Sequence, residues 1–487
     1  MSGGQISRSV PKNIDAEADV VVIGAGACGL VAALRARATG AEVIVLERDA
    51  SPSGSTSMSS GFVPAPATRF QRAIGVEDDT PRRFEDDILS KSKGKSAAAL
   101  AWLASVSVGP ALEWLADAHG LEWIVLDDFL YPGHSRHRMH AVPEKTGAAL
   151  EARLLSAVEA AGIPVVTEAL VTTLYSDGGG QIAAVGITRP DGATEVLGCR
   201  ALVLACNGFG GNSTLVRKHI PEIADGLYYG HQGNTGDALT WGEALGARIE
   251  HVSGYQGHGS LAHPHGILIS WALMMEGGIQ VNSEGLRFSN EHGGYSEQAV
   301  NVLAQPGGIV WNIFDVRLHD FAQGFPDYQE AMAAGAIRMA ADVTELARVT
   351  GVPKVTLTRT LSKVAMYQSG KAPDPFGRDF TGKPVLVAPF YAVKVTGALF
   401  HTQGGLMIDD QARVLHEDGT PFANLFAGGG AACGVSGPDV SGYLSGNGLL
   451  TAIGFGFVAG DFTGTLAMSG SIMSVGAEIS KCAEFGL

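Results

Sequence analysis

The chain has 487 residues and a formal net charge of −15, with 46% hydrophobic and 17% charged residues. This length predicts two joined domains, and the composition excludes a disordered or fibrous chain. The negative charge also argues against a nucleic-acid partner, because binding to phosphates requires a basic face.

The N-terminal residues 1–19 contain no long apolar run, so the sequence predicts no signal peptide and a cytoplasmic location. No stretch approaches the roughly 18 uncharged apolar residues of a membrane span, so none is expected. Residues 449–468 come nearest, but they include Asp461 and many glycines and are predicted to form a buried helix. The five cysteines are dispersed without a CxxC pattern, which argues against disulfides and against a metal site.

The first strongly patterned segment, "ADVVVIGAGACGLVAALRARATGAEVIVLERD", predicts a dinucleotide-binding site. Residues 20–23 read as a strand, 30–38 as a helix and 42–46 as a second strand. Between them, a GxGxxG turn brings the backbone and a helix N-terminus to a pyrophosphate. An acidic residue about 20 positions further on is the expected acceptor for ribose hydroxyls. These residues are Gly24, Gly26 and Gly29 in the turn and Glu47 after the second strand.

Three further segments indicate that the dinucleotide is FAD. The loop 50–61 is rich in small hydroxyl residues, which suits a chain that runs along an extended cofactor. Residues 201–212 read as a strand that ends in a turn at Cys206-Asn207-Gly208. Residues 421–437 read again as a strand, a glycine turn and a helix. A cofactor that both ends of the chain contact is long, and this favours permanently bound FAD.

These motifs resemble those of the flavoprotein family that includes soluble fumarate reductases, succinate dehydrogenase flavoprotein subunits and 3-ketosteroid dehydrogenases. The resemblance also rests on "GSTSMSSG", "ALVLACNGFGG", "GNTGDAL", "EGLRFSNE", "HTQGGLMID" and "LFAGGG". It implies an α/β fold with a Rossmann-like, glutathione-reductase-like FAD-binding domain and an inserted α+β cap domain. The implied FAD-binding domain is discontinuous, 1–225 and 390–487, and the cap is 226–389. Within the cap, 329–351 and 353–370 are predicted to be amphipathic helices.

The resemblance also implies which residues contact the FAD. The loop 50–61 has no histidine, through which some members bind flavin covalently, so the FAD is expected to be non-covalent. Gly430 stands where the family usually has an acid after "LxAxG", so that contact is expected to be lost or made by the backbone. The implied set is Gly24, Gly26, Gly29, Glu47, Gly54, Ser55, Thr56, Ser60, Gly61, Val171, Ala205, Asn207, Gly208, Asn234, Asp237, Gly429, Ser445, Leu449 and Leu450.

Two positions at which the fumarate reductases carry substrate-binding arginines hold tyrosines here. Tyr295 lies four residues after "RFSNE", and Tyr443 lies in "GYLSGN" where the reductases have "NRxGGN". Residues 270–274, Ser-Trp-Ala-Leu-Met, replace the reductases' Thr-Glu-Ala-x-Arg run that delivers protons. Guanidinium groups suit carboxylates, so a pocket without them is expected to take an uncharged cyclic ketone.

The tyrosine pair resembles that of the 3-ketosteroid dehydrogenases, and Tyr443-Leu444-Ser445 resembles the Δ4-(5α) type. The implied reaction is α,β-desaturation, in which one tyrosine polarises the carbonyl, a base removes the α-proton and the β-hydride goes to flavin N5. Because the unperturbed pKa of a phenol is about 10, a tyrosine base needs a lowered pKa or a relay, and Ser445 is the expected relay. Which tyrosine is the base stays open, as does a packing role for both.

Other polar residues are candidate substrate contacts. His401 corresponds to a substrate-binding histidine of the reductases, and His258 matches another by its spacing; a structural role is the alternative for each. The segment "YPGHSRHRMH", 131–140, has spacing that does not suit a metal. It predicts a polar lid, or a clamp for an acidic group on the substrate, with Tyr131 lining the pocket.

Three functions are therefore weighed. The first is desaturation of a 3-oxosteroid, or of a smaller cyclohexanone such as 4-oxocyclohexanecarboxylate, with an unknown electron acceptor. The second is reduction of an enoate, which predicts arginine at position 295 or 443. The third is a non-catalytic flavin-binding role. A steroid requires a long apolar cleft, whereas a keto acid requires a retained cation, for which the segment 131–140 is the candidate.

Overall fold

The computed structural model describes residues 4–177 and 180–484, with side chains described as far as residue 468. The chain divides into two compact units. The first unit comprises Met1–Leu215, Gly230–Tyr255 and His401–Leu487, and the second comprises Val216–Tyr229 and Gln256–Phe400.

Strands and helices are interspersed along the described residues. The strands are β1 (Gln5–Ser7), β2 (Ala16–Ile23), β3 (Val43–Leu46), β4 (Val63–Pro64), β5 (Ile124–Val125), β6 (Met139–Ala141), β7 (Val165–Val166), β8 (Leu170–Ser176), β9 (Ile182–Thr188), β10 (Thr194–Leu204), β11 (Leu227–Tyr228), β12 (Ile249–Glu250), β13 (Tyr255–Ala262), β14 (Ile267–Leu268), β15 (Ile279–Val281), β16 (Ile309–Asp315), β17 (Ile337–Ala340), β18 (Phe390–Thr402), β19 (Gly405–Leu406), β20 (Arg413–Leu415) and β21 (Pro421–Ala427). The helices are α1 (Ala27–Ala38), α2 (Arg69–Ala73), α3 (Pro81–Lys91), α4 (Ala98–His119), α5 (Gly147–Ala160), α6 (Ser213–His219), α7 (Asp237–Leu245), α8 (Ala272–Met275), α9 (Tyr295–Leu303), α10 (Val316–Ala322), α11 (Pro326–Ala333), α12 (Val343–Thr350), α13 (Lys354–Gln368) and α14 (Asn447–Glu484).

A mixed sheet with a parallel centre organises the first unit. Its strand order is β1-β8-β9-β10-β2-β3-β7, with β21 paired to β10 and β20 paired to β21. Strands β2, β3 and β7 run parallel to their neighbours, and β10 runs parallel to both β2 and β21. The central strand β2 ends in the continuous apolar run Val20–Ile23, which is buried, as expected for a parallel strand covered on both faces.

The strands of this sheet end at one level. Ile23 of β2 lies opposite Leu46 of β3 and Leu204 of β10, and Leu204 lies opposite Ala427 of β21. The loops after these strands therefore meet at the carboxyl edge of the sheet, where ligands bind in open α/β folds.

Two long apolar helices, α4 and the part of α14 from Asn447 to Met468, meet the length and composition of a membrane span. Their most apolar windows are 56% and 72% buried inside the structure. The packing is close, because a Cβ added at Gly460 of α14 would lie 2.3 Å from the carbonyl oxygen of Ala32 in α1. This is the burial of core helices, in agreement with the interpretation of 449–468.

A mainly antiparallel sheet, in which β11 pairs parallel with β18, forms the core of the second unit. Its order is β14-β13-β18-β16-β15, and β11 and β17 also pair with β18. Strands β16 and β18 pair antiparallel over seven residues each, with Asn312 opposite Val393. Both units together give the mixed α/β flavoprotein fold that the sequence indicates.

The units differ from the predicted division at 1–225, 226–389 and 390–487 chiefly in the range 230–255. This range belongs to the first unit, because β12 pairs with β19 and Trp241 of α7 is buried in the first unit's core. No motif in the sequence predicts the long-range pairing of β12 with β19.

Two of the predicted elements are corrected. Residues 353–370 contain helix α13 as predicted, but 329–351 contain α11, then the strand β17, then α12. Strand β17 pairs antiparallel with β18, so tertiary pairing overrides a helical pattern. After β21 the chain forms a short 3-10 turn, Gly429–Ala431, rather than the predicted helix, and Gly429 has a φ of +55°.

Candidate active site

A glycine turn connects β2 to α1 at the carboxyl edge of the sheet. Gly24 has a φ of +107°, and a Cβ there would lie 2.5 Å from the carbonyl oxygen of Ala205. A Cβ at Gly29 would lie 1.9 Å from the carbonyl oxygen of Gly24. A Cβ at Gly26 would meet only the Thr56 hydroxyl, at 3.4 Å. The turn is thus closed by sterics at two glycines and open at the third, as pyrophosphate binding requires.

The carboxylate of Glu47 is fixed against this turn. Its Oε2 accepts a hydrogen bond from the backbone N–H of Ala25 at 3.0 Å, and its Oε1 accepts one from Asp49 at 3.0 Å. The backbone N–H of Ala169 donates to the Glu47 carbonyl at 2.8 Å, which brings the chain leading to Val171 to the same edge. A buried carboxylate at the end of the second parallel strand is the acceptor that a ribose needs.

The hydroxyl-rich loop joins the strand ends. Ser55 Oγ accepts hydrogen bonds from Asn207 Nδ2 at 2.7 Å and from Asn234 Nδ2 at 3.2 Å. Thr56 Oγ1 accepts from the backbone N–H of Ala27 at 2.9 Å. Asn207, with a φ of +64°, also accepts from the Gly208 N–H at 2.8 Å. Four predicted cofactor residues from three distant segments therefore lie in one hydrogen-bonded group.

The other predicted cofactor residues occupy different settings. Asp237 accepts from the Thr235 hydroxyl at 2.9 Å, at the start of α7. Gly429 lies against α1, where an added Cβ would be 3.3 Å from Cys28 Cβ. Gly61 packs against the start of α5, whereas Gly54 has open space and Ser60 is exposed. Leu449 and Leu450 lie in the first turns of α14 with buried side chains, so their backbone groups are what they offer a ligand.

A second group of predicted residues lies where the chain enters α14. Tyr443 and Ser445 are each 6% exposed, and the His401 and Tyr443 rings meet edge-on at 5.5 Å between centroids. A Cβ at Gly448 would lie 2.9 Å from His401 Nε2, so this imidazole lies against the first turn of the helix. Burial lowers the pKa of His401 to about 4, so it is neutral at ordinary pH.

A chain of hydrogen bonds contacts His401 on the Nδ1 side of its ring. Gln403 Nε2 donates to His401 Nδ1 at 2.9 Å, and Ser436 Oγ donates to Gln403 Oε1 at 2.7 Å. Asn447 Nδ2 donates to Ser436 Oγ at 3.0 Å. His401 Nδ1 also lies 3.4 Å from the carbonyl oxygen of Thr402, which accepts, so its two neighbours make opposite demands on that nitrogen, while Nε2 faces the start of α14.

The second unit brings His258 and Tyr295 together. The His258 ring stacks between Tyr295, at 5.0 Å, and Phe400, at 5.2 Å, with the edge of Trp271 at 5.9 Å. The backbone N–H of Ser260 donates to His258 Nδ1 at 3.1 Å, so a neutral ring carries its hydrogen on Nε2. Burial lowers the pKa of His258 to about 3, so it stays neutral. Tyr295 begins α9 directly after Gly294, whose φ is +132°.

Four buried charges fix the segment before Tyr295. Glu291 accepts from Arg287 at 2.9 and 2.6 Å and is 3.0 Å from Arg378, while Arg287 also contacts Asp374 at 2.5 Å. Burial by itself would raise the pKa of Glu291, but Arg287 and Arg378 bring it down to about 2. Two guanidiniums face two carboxylates, so both positive charges of this cluster are balanced within the unit.

The two arginines of the segment 131–140 also form ion pairs with carboxylates of their own unit. Arg136 forms an ion pair with Asp78, and Arg138, which is fully buried, pairs with Asp79 at 2.7 Å and Asp87 at 2.5 Å. The proposed carboxylate clamp in this segment therefore has its two guanidiniums already occupied. Tyr131 packs edge-on against Phe129 at 5.0 Å and Phe62 at 6.1 Å.

The described residues contain no group of three or more His, Cys, Asp or Glu side chains that would hold a metal ion. The cysteines with described side chains, at positions 28, 199, 206 and 433, are free. Burial raises the pKa of each of these thiols to about 12. They are unreactive packing groups, in line with the sequence interpretation. Cys482 lies outside the described side chains.

Sequence reasoning missed several residues of these groups. Gln403 lies two positions after His401, and that spacing was the available signal; Ser436 and Asn447 carried none. Glu151 of α5 was also missed: burial raises its pKa to about 7, and it is near Ser57 and Glu47. His134 appeared only as a member of a polar loop, although its Nε2 donates to the Ser445 carbonyl at 2.9 Å.

The glycine turn, the fixed acidic acceptor and the amide-hydroxyl group at the strand ends together form a dinucleotide cradle. The family profile described as FAD binding domain matches residues 19–449. The chain therefore belongs to this FAD-binding family, and FAD is its cofactor. It is an oxidoreductase of the kind that acts on CH–CH groups.

The proteins that this chain resembles include both reductases and dehydrogenases. A probable fumarate reductase of Shewanella frigidimarina is 28% identical over 94% of this chain and 76% of that protein. The 4-oxocyclohexanecarboxylate 2-dehydrogenase of Sinomonas cyclohexanicum is 27% identical over 85% of this chain and 87% of that protein. The structure of a 3-ketosteroid Δ4-(5α)-dehydrogenase from Rhodococcus jostii, 23% identical, superposes with a TM-score of 0.76 over 95% of this chain and 99% of that chain. The last likeness concerns the fold alone.

Proposed function

We propose that this enzyme desaturates a cyclic ketone at the α,β position, as the 3-ketosteroid dehydrogenase branch of its family does. One observation carries the proposal: tyrosines stand at positions 295 and 443, and the four arginines of the neighbouring segments are paired with carboxylates of their own units. A dicarboxylate requires unpaired guanidinium groups, whereas a ketone requires only hydrogen-bond donors and a base.

The tyrosines and Ser445 have two tasks in this reaction, to polarise the ketone carbonyl and to remove the α-proton. One tyrosine hydroxyl donates a hydrogen bond to the ketone oxygen, which acidifies the neighbouring C–H bond. The other tyrosine, or a base relayed through Ser445, takes the α-proton. Bound FAD would supply the acceptor for the β-hydride, so that the substrate loses one proton and one hydride and gains a C=C bond, and an unidentified electron acceptor would restore the oxidised cofactor.

The two histidines support an uncharged substrate. His258 and His401 are neutral because burial lowers the pKa of each, to about 3 and about 4. In His258 the backbone N–H at Nδ1 leaves the hydrogen on Nε2. A neutral N–H donor matches a ketone oxygen, which bears only a partial charge, better than it matches a carboxylate pair.

The ketone itself is proposed to lack a carboxylate. Arg136 and Arg138 are the cations that the sequence offered for a keto acid, and both are committed to Asp78, Asp79 and Asp87. This favours a 3-oxosteroid or similar apolar ring ketone. A 4-oxocyclohexanecarboxylate-like substrate is the alternative within the same chemistry, supported by the relative of that name.

Anaerobic mixing of the purified holoenzyme with ketones tests the proposal. A saturated 3-oxosteroid, cyclohexanone and 4-oxocyclohexanecarboxylate are added separately, and flavin absorbance near 450 nm is followed by stopped flow. Bleaching by at least one ketone, with an enone as product by mass spectrometry, is the expected result. Bleaching by 4-oxocyclohexanecarboxylate alone would show that the substrate is a ketone with a carboxylate. No bleaching by any ketone would reject the desaturation.

Reduction of an enoate is the second candidate, because the chain is as similar to a fumarate reductase as to a ketone dehydrogenase. It is tested on the same preparation by reducing the flavin with dithionite and adding fumarate, acrylate or urocanate. Rapid reoxidation by an enoate, combined with no bleaching by ketones, would establish the reductase instead. The two functions thus give opposite results in paired experiments on one sample.

A further inference from the structure

The segment that carries Tyr443 and Ser445 is tied to the loop 131–140 by a hydrogen bond of defined direction. His134 Nε2 lies 2.9 Å from the carbonyl oxygen of Ser445. A carbonyl only accepts, so His134 Nε2 carries the hydrogen. Arg138 Nη1 lies 3.4 Å from His134 Nδ1, and a guanidinium only donates, so Nδ1 is the acceptor. Only one arrangement of hydrogens on this imidazole fits both neighbours.

Close packing accompanies the hydrogen bond. Gly133 has a φ of +84°, and a Cβ there would lie 2.7 Å from Leu444 Cδ1. Gly446 has a φ of +86°, and its added Cβ would lie 2.6 Å from Pro64 Cδ in β4. The residues on both sides of Ser445 are therefore in contact with other parts of the first unit, and the positive φ of both glycines disfavours a larger residue at either position.

Arg138 anchors the His134 ring to a buried ionic group. Its Nε and Nη2 donate to the two carboxylate oxygens of Asp79 at 3.0 and 2.7 Å, and its Nη1 donates to Asp87 at 2.5 Å. The guanidinium carbon lies 4.5 Å from the centre of the Phe84 ring, on which His134 also stacks at 5.9 Å. Burial and the neighbouring Arg138 lower the pKa of His134 to about 3, so the ring remains a neutral donor.

We propose that His134 is a positioning residue for Tyr443 and Ser445, and that Arg138 fixes the His134 ring for this purpose. The inference rests on the proposed function, in which those two hydroxyls meet the substrate. Its physical reason is that a catalytic group loses most of its effect when its backbone shifts by about 1 Å. The loop 131–140 then serves as an internal support for the site, and its arginines are not substrate ligands.

Two amide substitutions at position 134 test whether the site requires the hydrogen bond to the Ser445 carbonyl or only a polar side chain at that position. In His134→Gln the amide nitrogen reaches the position of Nε2 and keeps the donor to Ser445. In His134→Asn the shorter side chain ends near the position of Nδ1 and loses that donor. His140→Gln is the matched control, because His140 is a fully buried histidine of the adjoining strand β6 that bonds Thr68 and the Arg138 carbonyl instead.

Flavin reduction by the ketone that the wild type accepts is measured for the three variants, together with FAD content and the ketone's apparent dissociation constant. We expect His134→Asn to lower the limiting rate at least tenfold, with the dissociation constant changed less than threefold. We expect His134→Gln and His140→Gln to stay within threefold of the wild-type rate. Equal rates for Asn and Gln, or an equal loss in His140→Gln, would overturn the inference.

A second measurement does not depend on the substrate. Amide hydrogen exchange of a peptide that contains 443–447, followed by mass spectrometry on the holoenzyme, reports how firmly the segment is held. Faster exchange is expected in His134→Asn than in His134→Gln, and equal exchange in the two would also overturn the inference. If no ketone bleaches the wild type, the proposed function fails, while the exchange result still decides whether His134 holds this segment.

Discussion

The His401 and Tyr443 rings meet edge-on, with 5.5 Å between their centroids and 73° between their planes. His401 is held by Gln403, and Tyr443 directly precedes the buried pair Leu444 and Ser445. A phenol ring and a neutral imidazole ring thus lie side by side near the start of α14. The proposed function assigns this pair to the carbonyl oxygen and the proton of the substrate.

Removal of the Tyr443 hydroxyl tests that role directly. Tyr443→Phe keeps the ring and its contact with His401 but removes the hydroxyl that is proposed to donate to or accept from the substrate. We expect the limiting rate of flavin reduction by the accepted ketone to fall about 100-fold or more, measured by anaerobic stopped flow. Tyr175→Phe in β8 is the matched control and retains the wild-type rate. An unchanged rate in Tyr443→Phe would remove Tyr443 from the chemistry.

The dinucleotide cradle is tested at Glu47. In Glu47→Gln one carboxylate oxygen becomes an amide N–H₂, which opposes the backbone N–H of Ala25 or of Asp49 and offers fewer acceptors to a ribose. We expect the dissociation constant of FAD to rise about 10- to 100-fold, as measured by flavin fluorescence on dilution. Glu42→Gln, at an exposed position just before β3, serves as the control and leaves the affinity unchanged. Equal affinities in the two variants would contradict the assigned position of the ribose.

The pH dependence of stability follows from the buried histidines. Burial lowers the pKa of His258 from 6.5 to about 3, so the unfolded chain binds a proton that the folded chain excludes. The stability that depends on neutral His258 is complete above pH 6.5 and is lost as the pH falls towards the folded-state value. Between pH 7.5 and pH 5.0 this single group costs about 2 kcal/mol.

Replacement of His258 removes that dependence. We expect the fall in unfolding free energy between pH 7.5 and 5.0 to be about 2 kcal/mol smaller in His258→Phe than in the wild type. The measurement is urea unfolding followed by tryptophan fluorescence at both values. His265→Phe, at an exposed position, is expected to keep the wild-type difference. If the unfolding free energy of His258→Phe fell as much as that of the wild type between pH 7.5 and 5.0, His258 would not be a buried, neutral group.

The charge cluster of the second unit is tested at Glu291, which is 1% exposed. Glu291→Gln leaves the guanidiniums of Arg287 and Arg378 with Asp374 as their remaining carboxylate partner in the cluster. Because unbalanced buried charge is costly, we expect a loss of about 3 kcal/mol or more in the free energy of unfolding. Glu284→Gln, on the exposed turn before Arg287, is the control and should change stability by less than about 0.5 kcal/mol. Similar values for the two variants would refute the structural role of the cluster.

The cofactor cradle was readable from the sequence because its requirements are local. Gly24 needs a positive φ and Gly29 needs close approach to the backbone, and each demand falls on one residue within a short segment. The helix α13 was also readable from its apolar periodicity. Such features depend on neighbours a few positions apart, which a single sequence displays.

Long-range pairing was not readable. The guanidinium of Arg138 belongs to Asp79 and Asp87, which precede it by 59 and 51 positions, and nothing in the loop 131–140 indicates that its charge is already balanced. Strand β17 has a helix-like pattern but pairs with β18 because of where the chain returns. The hydrogen bonds from Gln403 through Ser436 to Asn447 join three separate segments, so only the folded chain reveals them.

The strand β10 has a consequence for biosynthesis. Its residues Leu202–Leu204 pair with β2 on one side and with Leu425–Ala427 of β21 on the other. A ribosome that has released only the first 400 residues leaves this apolar edge without its second neighbour, so the nascent chain is exposed to aggregation and chaperone capture until late in translation.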